Sequence, residues 1–129
     1  LLLKNLQHRG ACGCDQDTGD GAGILLQMPD AFFREESHRF GVALPPAGAY
    51  GVAFCFLPLE PDDRAECRRA VERFVTDQRQ RVLGWRSVPV VSTAIGWLAR
   101  SREPVMEQLF IGRGDKTPDA AAFERALYV

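Results

Sequence analysis

Apolar residues fall into short blocks of changing period along this chain. Leu2, Leu3 and Leu6 sit at helical spacing, and a polar, glycine-punctuated loop occupies residues 10–21. The run AGILLQM (22–28) reads as a short strand bounded by Asp20-Gly21 and Pro29. Asp30 can then cap a helix over AFFREESHRF, in which Phe32, Phe33 and Phe40 share a packed face and Gly41 is the stop. AYGVAFCFLPL (49–59) is the strongest strand, and its nearly unbroken apolar character predicts burial on both faces.

Residues 61–84, PDDRAECRRAVERFVTDQRQRVLG, form the clearest helix. Pro61 and an acidic first turn suit its start and Gly84 its end. Ala65, Val71, Phe74, Val75 and Gln78 trace its inner stripe, and its arginines read as a solvated face. GWRSVPV (84–90) is a strand that Pro89 restricts to an edge or an end. TAIGWLARSREP reads as a short helix, VMEQLFIGRG (105–114) as a strand and TPDAAAFERAL as a helix. The alternation of strands and helices predicts a layered α/β or α+β domain.

Composition narrows the classes. The 129 residues are 46% hydrophobic and 26% charged, which suits one globular domain. Sixteen basic against 17 acidic residues give a net charge of −1, so neither nucleic acid nor an anionic membrane is an expected partner. No apolar run approaches the roughly 20 residues of a membrane span, and the expectation is a soluble, cytoplasmic protein. Cys55 sits in an apolar strand-like run and Cys67 on a helix-like run, and both read as small packing residues. Leu1 stands where a start methionine would, and the terminal Leu-Tyr-Val reads as the beginning of a strand. Both ends therefore look cut from something longer.

The chemistry-rich stretch is HRGACGCDQDTGDGAGI, residues 8–24. A zinc site would draw on His8, Cys12 and Cys14 with Asp15 or Asp17, but Cys12-Gly13-Cys14 lacks the two-to-four-residue gap of a structural zinc clip. A phosphate cradle would need the glycines to lead from a strand into a helix with a G-K-[ST] ending, which is absent. A redox pair is open, although neither cysteine has an obvious helix N-terminus or lysine beside it to lower its thiol pKa. The plain alternative is a tight Asp20-Gly21 turn feeding a strand whose Ala22 and Gly23 admit another backbone closely.

These residues also carry a resemblance. NLQHRGACGCDQDTGDGAGILLQMP resembles the class II glutamine amidotransferase domain at the N-terminus of the glutamate synthase large subunit. The pattern L-x-x-x-x-H-R-G-A-x-x-x-D/E-x-x-T-G-D-G-A-G-I is met over residues 3–24. LPPAGAYGVAFCFLP, VLGWRSVPV, SREPVMEQLFIGR and FERALYV follow in the same order. Departures are small: Val91-Ser92 follows VPV where relatives are often polar, and Gly96-Trp97-Leu98 replaces a more polar helix start.

The resemblance implies an α+β fold of the N-terminal-nucleophile hydrolase type, an αββα sandwich, present here in part. It implies that residues 1–129 are a partial domain lacking the nucleophile segment and the C-terminal part. The expected catalytic cysteine, whose own α-amino group acts as base, then lies upstream of Leu1, so the expectation is no catalytic residue and no glutaminase activity in this chain alone. Carried over by position, Arg9 orders the glutamine pocket, Gly10 lets backbone approach the nucleophile, and Asp20, Gly21, Ala22 and Gly23 form the pocket floor. His8 reads as a packing or hydrogen-bonding element. Relatives vary at Cys12 and Cys14, which weakens a metal or redox role for them.

Glutamine is the expected substrate. The remaining domains of the large subunit, and a small electron-donating subunit, are the expected partners. FMN and an iron–sulfur cluster are expected in other domains, with no cofactor or metal in this chain. A non-catalytic, stand-alone domain that binds glutamine or a protein partner is the alternative.

Overall fold

The computed structural model describes residues 25–128. Their elements run α1 (Asp30–Phe40), β1 (Tyr50–Leu57), α2 (Pro61–Asp77), β2 (Arg81–Ser87), a 3₁₀ turn (Ser92–Ala94), α3 (Trp97–Arg100), β3 (Val105–Gly112) and α4 (Ala120–Leu127). The chain divides into two compact units. The larger comprises Met28–Val88 and Pro104–Val129, the smaller Leu1–Gln27 and Pro89–Glu103. Of the smaller, the described part is residues 25–27 together with the 3₁₀ turn, α3 and their connections. There Arg100 donates from Nη2 to the Ile95 carbonyl, and the Ser101 hydroxyl donates to Leu98 O.

The larger unit is built on a three-stranded antiparallel sheet of order β1-β3-β2. β3 takes the centre, and its second half is the stretch buried on both faces. Leu109 and Phe110, neighbours in sequence, point to opposite faces and are both 0% exposed. On one face Leu109 and Ile111 pack with Ala53 and Trp85 under Val71 and Val75 of α2 and Phe123 of α4. On the other, Phe110 packs with Tyr50, Val52 and Leu83 against Phe33 and Phe40 of α1 and Leu44. Each fully buried side chain of this size contributes about 1.5–3 kcal/mol, so the two clusters hold helices against both faces. The result is a mixed helix-and-strand layer structure.

The element boundaries follow local chemistry, with four departures from the sequence reading. Asp30 is the first helical residue rather than the cap, and Pro29 holds the cap position. Its carboxylate is free to pair with Arg34 one turn on. The helix does stop at Gly41, which takes a left-handed φ of 70° and donates its N–H to Ser37 O.

The second departure is that α2 ends at Asp77 and β2 begins at Arg81. Arg79 adopts φ 58°, and the buried Gln80 side chain donates from Nε2 to Gln78 O at 2.7 Å and to Thr117 Oγ1 at 2.9 Å. That staple turns the chain well before Gly84. Val75 is buried as the stripe predicts, whereas Phe74 is 69% exposed.

Third, residues 25–28 form no strand, and Leu25 and Leu26 are exposed. A strand is defined by its ladder, and among the described residues nothing pairs with this run. The upstream part of the expected strand, 22–24, lies outside the described residues. The fourth departure is Leu127, which is helical, with Tyr128 as its C-cap, so no strand starts there.

Burial of β1 is one-sided at its far end. Tyr50, Gly51 and Leu57 are buried, but Phe54 is 47% and Phe56 68% exposed, their rings 5.1 Å apart. Among the described residues α1 and Leu44 of the loop after it pack on that face, at its Tyr50 end. Pro89 behaves as its chemistry predicts: Val88 N still donates to Met106 O, and the ladder ends before the imide.

Candidate functional site

Arg9, Gly10, Asp20 and Gly21, with His8, Cys12, Cys14, Ala22 and Gly23, all lie outside the described residues. What the described residues contribute are three polar clusters on the larger unit. None of the three is visible as a unit in the sequence.

The first cluster fixes the entry to α1. Spacing of four places Asp30 and Arg34 on one helix face. Arg34 donates from Nε to Asp30 Oδ2 at 2.9 Å and from Nη2 to Oδ1 at 3.0 Å. The same guanidinium donates to the carbonyls of Leu44 and Pro45, the latter at 2.6 Å, and so ties the loop after α1 to the start of that helix. The Tyr50 hydroxyl donates to Asp30 Oδ1 at 2.8 Å. The Arg34 hydrogen bonds, with that of Tyr50, hold the Asp30 carboxyl below its usual range. Burial, and then the hydrogen bond to Asp30, pushes the Tyr50 phenol up to about 12.

The phenol titration has a sign that can be measured. Because the folded state holds the Tyr50 proton more tightly than the unfolded chain, whose value is 10.0, this contribution to stability is complete below pH 10. It is lost as pH rises from 10 toward about 12. Ultraviolet titration of the two tyrosines should therefore contain one component with a midpoint near 12. Tyr50→Phe should remove that component. A normal midpoint for Tyr50 would mean that its hydroxyl is solvated and not bound to Asp30.

The second cluster joins α1 to the sheet. Arg86, on β2, donates from Nη2 to Glu36 Oε2 at 2.7 Å and from Nη1 to Gln108 Oε1 at 2.9 Å, and its guanidinium lies 5.6 Å from the Phe32 ring centre. Arg39 donates to the other Glu36 oxygen at 2.6 Å. The hydrogen bond from Arg86 holds the Glu36 carboxyl below its usual range against the opposing effect of burial. Arg86 and Gln108 face each other in register across β2 and β3, which sets this geometry.

The third lies on the opposite face. The Arg68 guanidinium sits 4.8 Å from the Trp85 ring centre, and Trp85 Nε1 donates to Glu72 Oε1 at 2.7 Å. Arg68 Nε approaches Glu107 Oε2 at 3.5 Å, too long and misaligned for a hydrogen bond, and that buried oxygen has no hydrogen-bond partner. So one of the arginines read as a solvated face stacks instead on the sheet. Cys55 stands opposite Glu107 in register, and burial, then the Glu107 charge, pushes its thiol up. It is a packing thiol rather than a thiolate. Cys67 is likewise free and half-buried.

A buried carboxylate with an unsatisfied oxygen is costly to keep. Glu107→Leu should leave stability unchanged or raise it, measured as the urea midpoint. Arg68→Ala should lower it by about 1–3 kcal/mol, because the carboxylate then stays buried without its partner. A large loss in Glu107→Leu would show that the ion pair is net stabilising.

Chemically, the first two clusters are closed. Their guanidinium groups are matched by carboxylates, carbonyls and an amide, leaving a scaffold that locks α1 to the sheet. Among the described residues no group of three or more His, Cys, Asp or Glu side chains could hold a metal ion. Among them, too, no helix is long and apolar enough to cross a membrane. Asp30 and Arg34 are legible in the sequence as a helical pair. Tyr50, Arg86 and Gln108 are not, because strand register brings them in.

Comparison with known proteins extends over the undescribed residues too. The family model of the class-II glutamine amidotransferases matches residues 1–129. The large chain of NADPH glutamate synthase from Bacillus subtilis (strain 168) is 43% identical over 128 residues, covering 99% of this chain and 8% of that protein. The chloroplastic ferredoxin-dependent glutamate synthase of Oryza sativa subsp. japonica is 34% identical over 129 residues, covering 100% and 8%. The NADH glutamate synthase of Schizosaccharomyces pombe is 37% identical over 134 residues, covering 100% and 6%. The chain thus spans less than a tenth of the length of these relatives, in each case along nearly all of its own. With a family model matched from its first residue to its last, the chain belongs to the class-II glutamine amidotransferases.

Proposed function

We propose that this chain is part of the glutaminase domain of a glutamate synthase large chain. In this reading the domain hydrolyses the side-chain amide of glutamine to glutamate and ammonia, and the ammonia serves reductive amination of 2-oxoglutarate elsewhere in the protein. The observation that carries the reading is the end-to-end similarity to glutamate synthases, at 43% identity in the bacterial large chain. The αββα sandwich of N-terminal-nucleophile hydrolases, with residues 1–129 as one part of it, belongs to the same proposal. So do a cytoplasmic location and a small electron-donating partner subunit.

The chemistry assigns distinct roles. A cysteine at the mature N-terminus of the longer polypeptide attacks the amide carbon, and its own α-amino group takes the thiol proton and passes it to the leaving ammonia. Water then cleaves the thioester to release glutamate. Arg9 presents a fixed, permanently charged guanidinium that orders the pocket through hydrogen bonds. Gly10 admits backbone next to the nucleophile, and Asp20 and Gly21 shape the floor. FMN and an iron–sulfur cluster, proposed for other domains, would supply the electrons. No step of glutamine hydrolysis passes through them.

The test uses the longer polypeptide with its N-terminal cysteine exposed, assayed for glutamate released from glutamine. That protein should be active and the 129-residue chain alone inactive. Arg9→Ala in the longer protein should lower kcat/KM on the order of 10²-fold, mainly through KM, as expected for truncating one partner of a desolvated charged contact. No glutamate release from the longer protein would overturn the function. Unchanged kinetics in Arg9→Ala would overturn the pocket assignment alone.

A further inference from the structure

We draw no further inference here: the strongest candidate, the half-open face of the three-stranded sheet where Phe54 and Phe56 of β1 stand exposed, is an unpartnered apolar surface and nothing in the structure shows what covers it.

Discussion

Phe110→Ala should destabilise the larger unit by about 3–5 kcal/mol, the range for removing a buried phenylalanine and leaving a cavity. The position is unforgiving for a geometric reason. Phe110 lies on the central strand at 0% exposure, with the ring of Phe33 edge-on at 5.2 Å, that of Phe40 at 5.0 Å and that of Tyr50 at 6.5 Å. Those three partners come from both ends of α1 and from the neighbouring strand, so none can collapse into the void without moving an element. Aromatic pairs of this geometry add about 0.5–1.5 kcal/mol beyond area burial. Denaturant unfolding followed by far-ultraviolet circular dichroism reads the loss. Phe54→Ala, at an exposed site on the same face, should change stability by no more than about 0.5 kcal/mol. Equal effects at the two positions would mean that the packed and open ends of this face are not distinguished as described.

Gly114→Ala should have the next largest effect, on the order of 2–3 kcal/mol, as overpacking against atoms that cannot yield. A Cβ at residue 114 would collide with the carbonyl oxygen of Arg79. That oxygen is backbone, held in a turn where Arg79 takes φ 58° and Gln80 Oε1 accepts the Gly114 N–H at 2.9 Å. Relief therefore requires breaking the staple between the end of α2 and the loop after β3. Thermal unfolding and amide exchange at Gln80 and Thr117 both report it, and exchange there should accelerate together with the fall in Tm. An unaltered Tm in the Gly114→Ala variant would contradict the close approach.

Much of this architecture is legible in the sequence because it depends on short-range rules. The unbroken apolar, aromatic-rich run of β1, the Pro61 and Asp62-Asp63 start of α2, and the Gly41 stop of α1 are all settled by a few neighbouring residues. The end of α2 is not. Its pattern continues through Gln78 and Arg79, but Gln80 has partners at Gly114 and Thr117, distant in sequence. The half-exposed β1 escapes a sequence reading for a related reason. An apolar strand looks alike whether or not a layer covers it, and coverage is a property of the elements stacked upon it. Arg9, Gly10, Asp20 and Gly21, proposed above as pocket residues, are legible as an ordered motif, and the family match covers their positions. Their geometry lies outside the described residues.

Motif order along the whole chain therefore suffices for the family, and periodicity and caps suffice for the type of nearly every element. Which strand is central, which face of the sheet is shielded and which charges meet are settled only in three dimensions. Glu36 finds Arg86 fifty residues away, and Tyr50 finds Asp30 twenty residues back. Such pairs are chosen by strand register and helix placement, which follow from burying the Leu109 and Phe110 faces together. Local spacing carries no record of that choice, because the free energy that makes it comes from contacts distant in sequence.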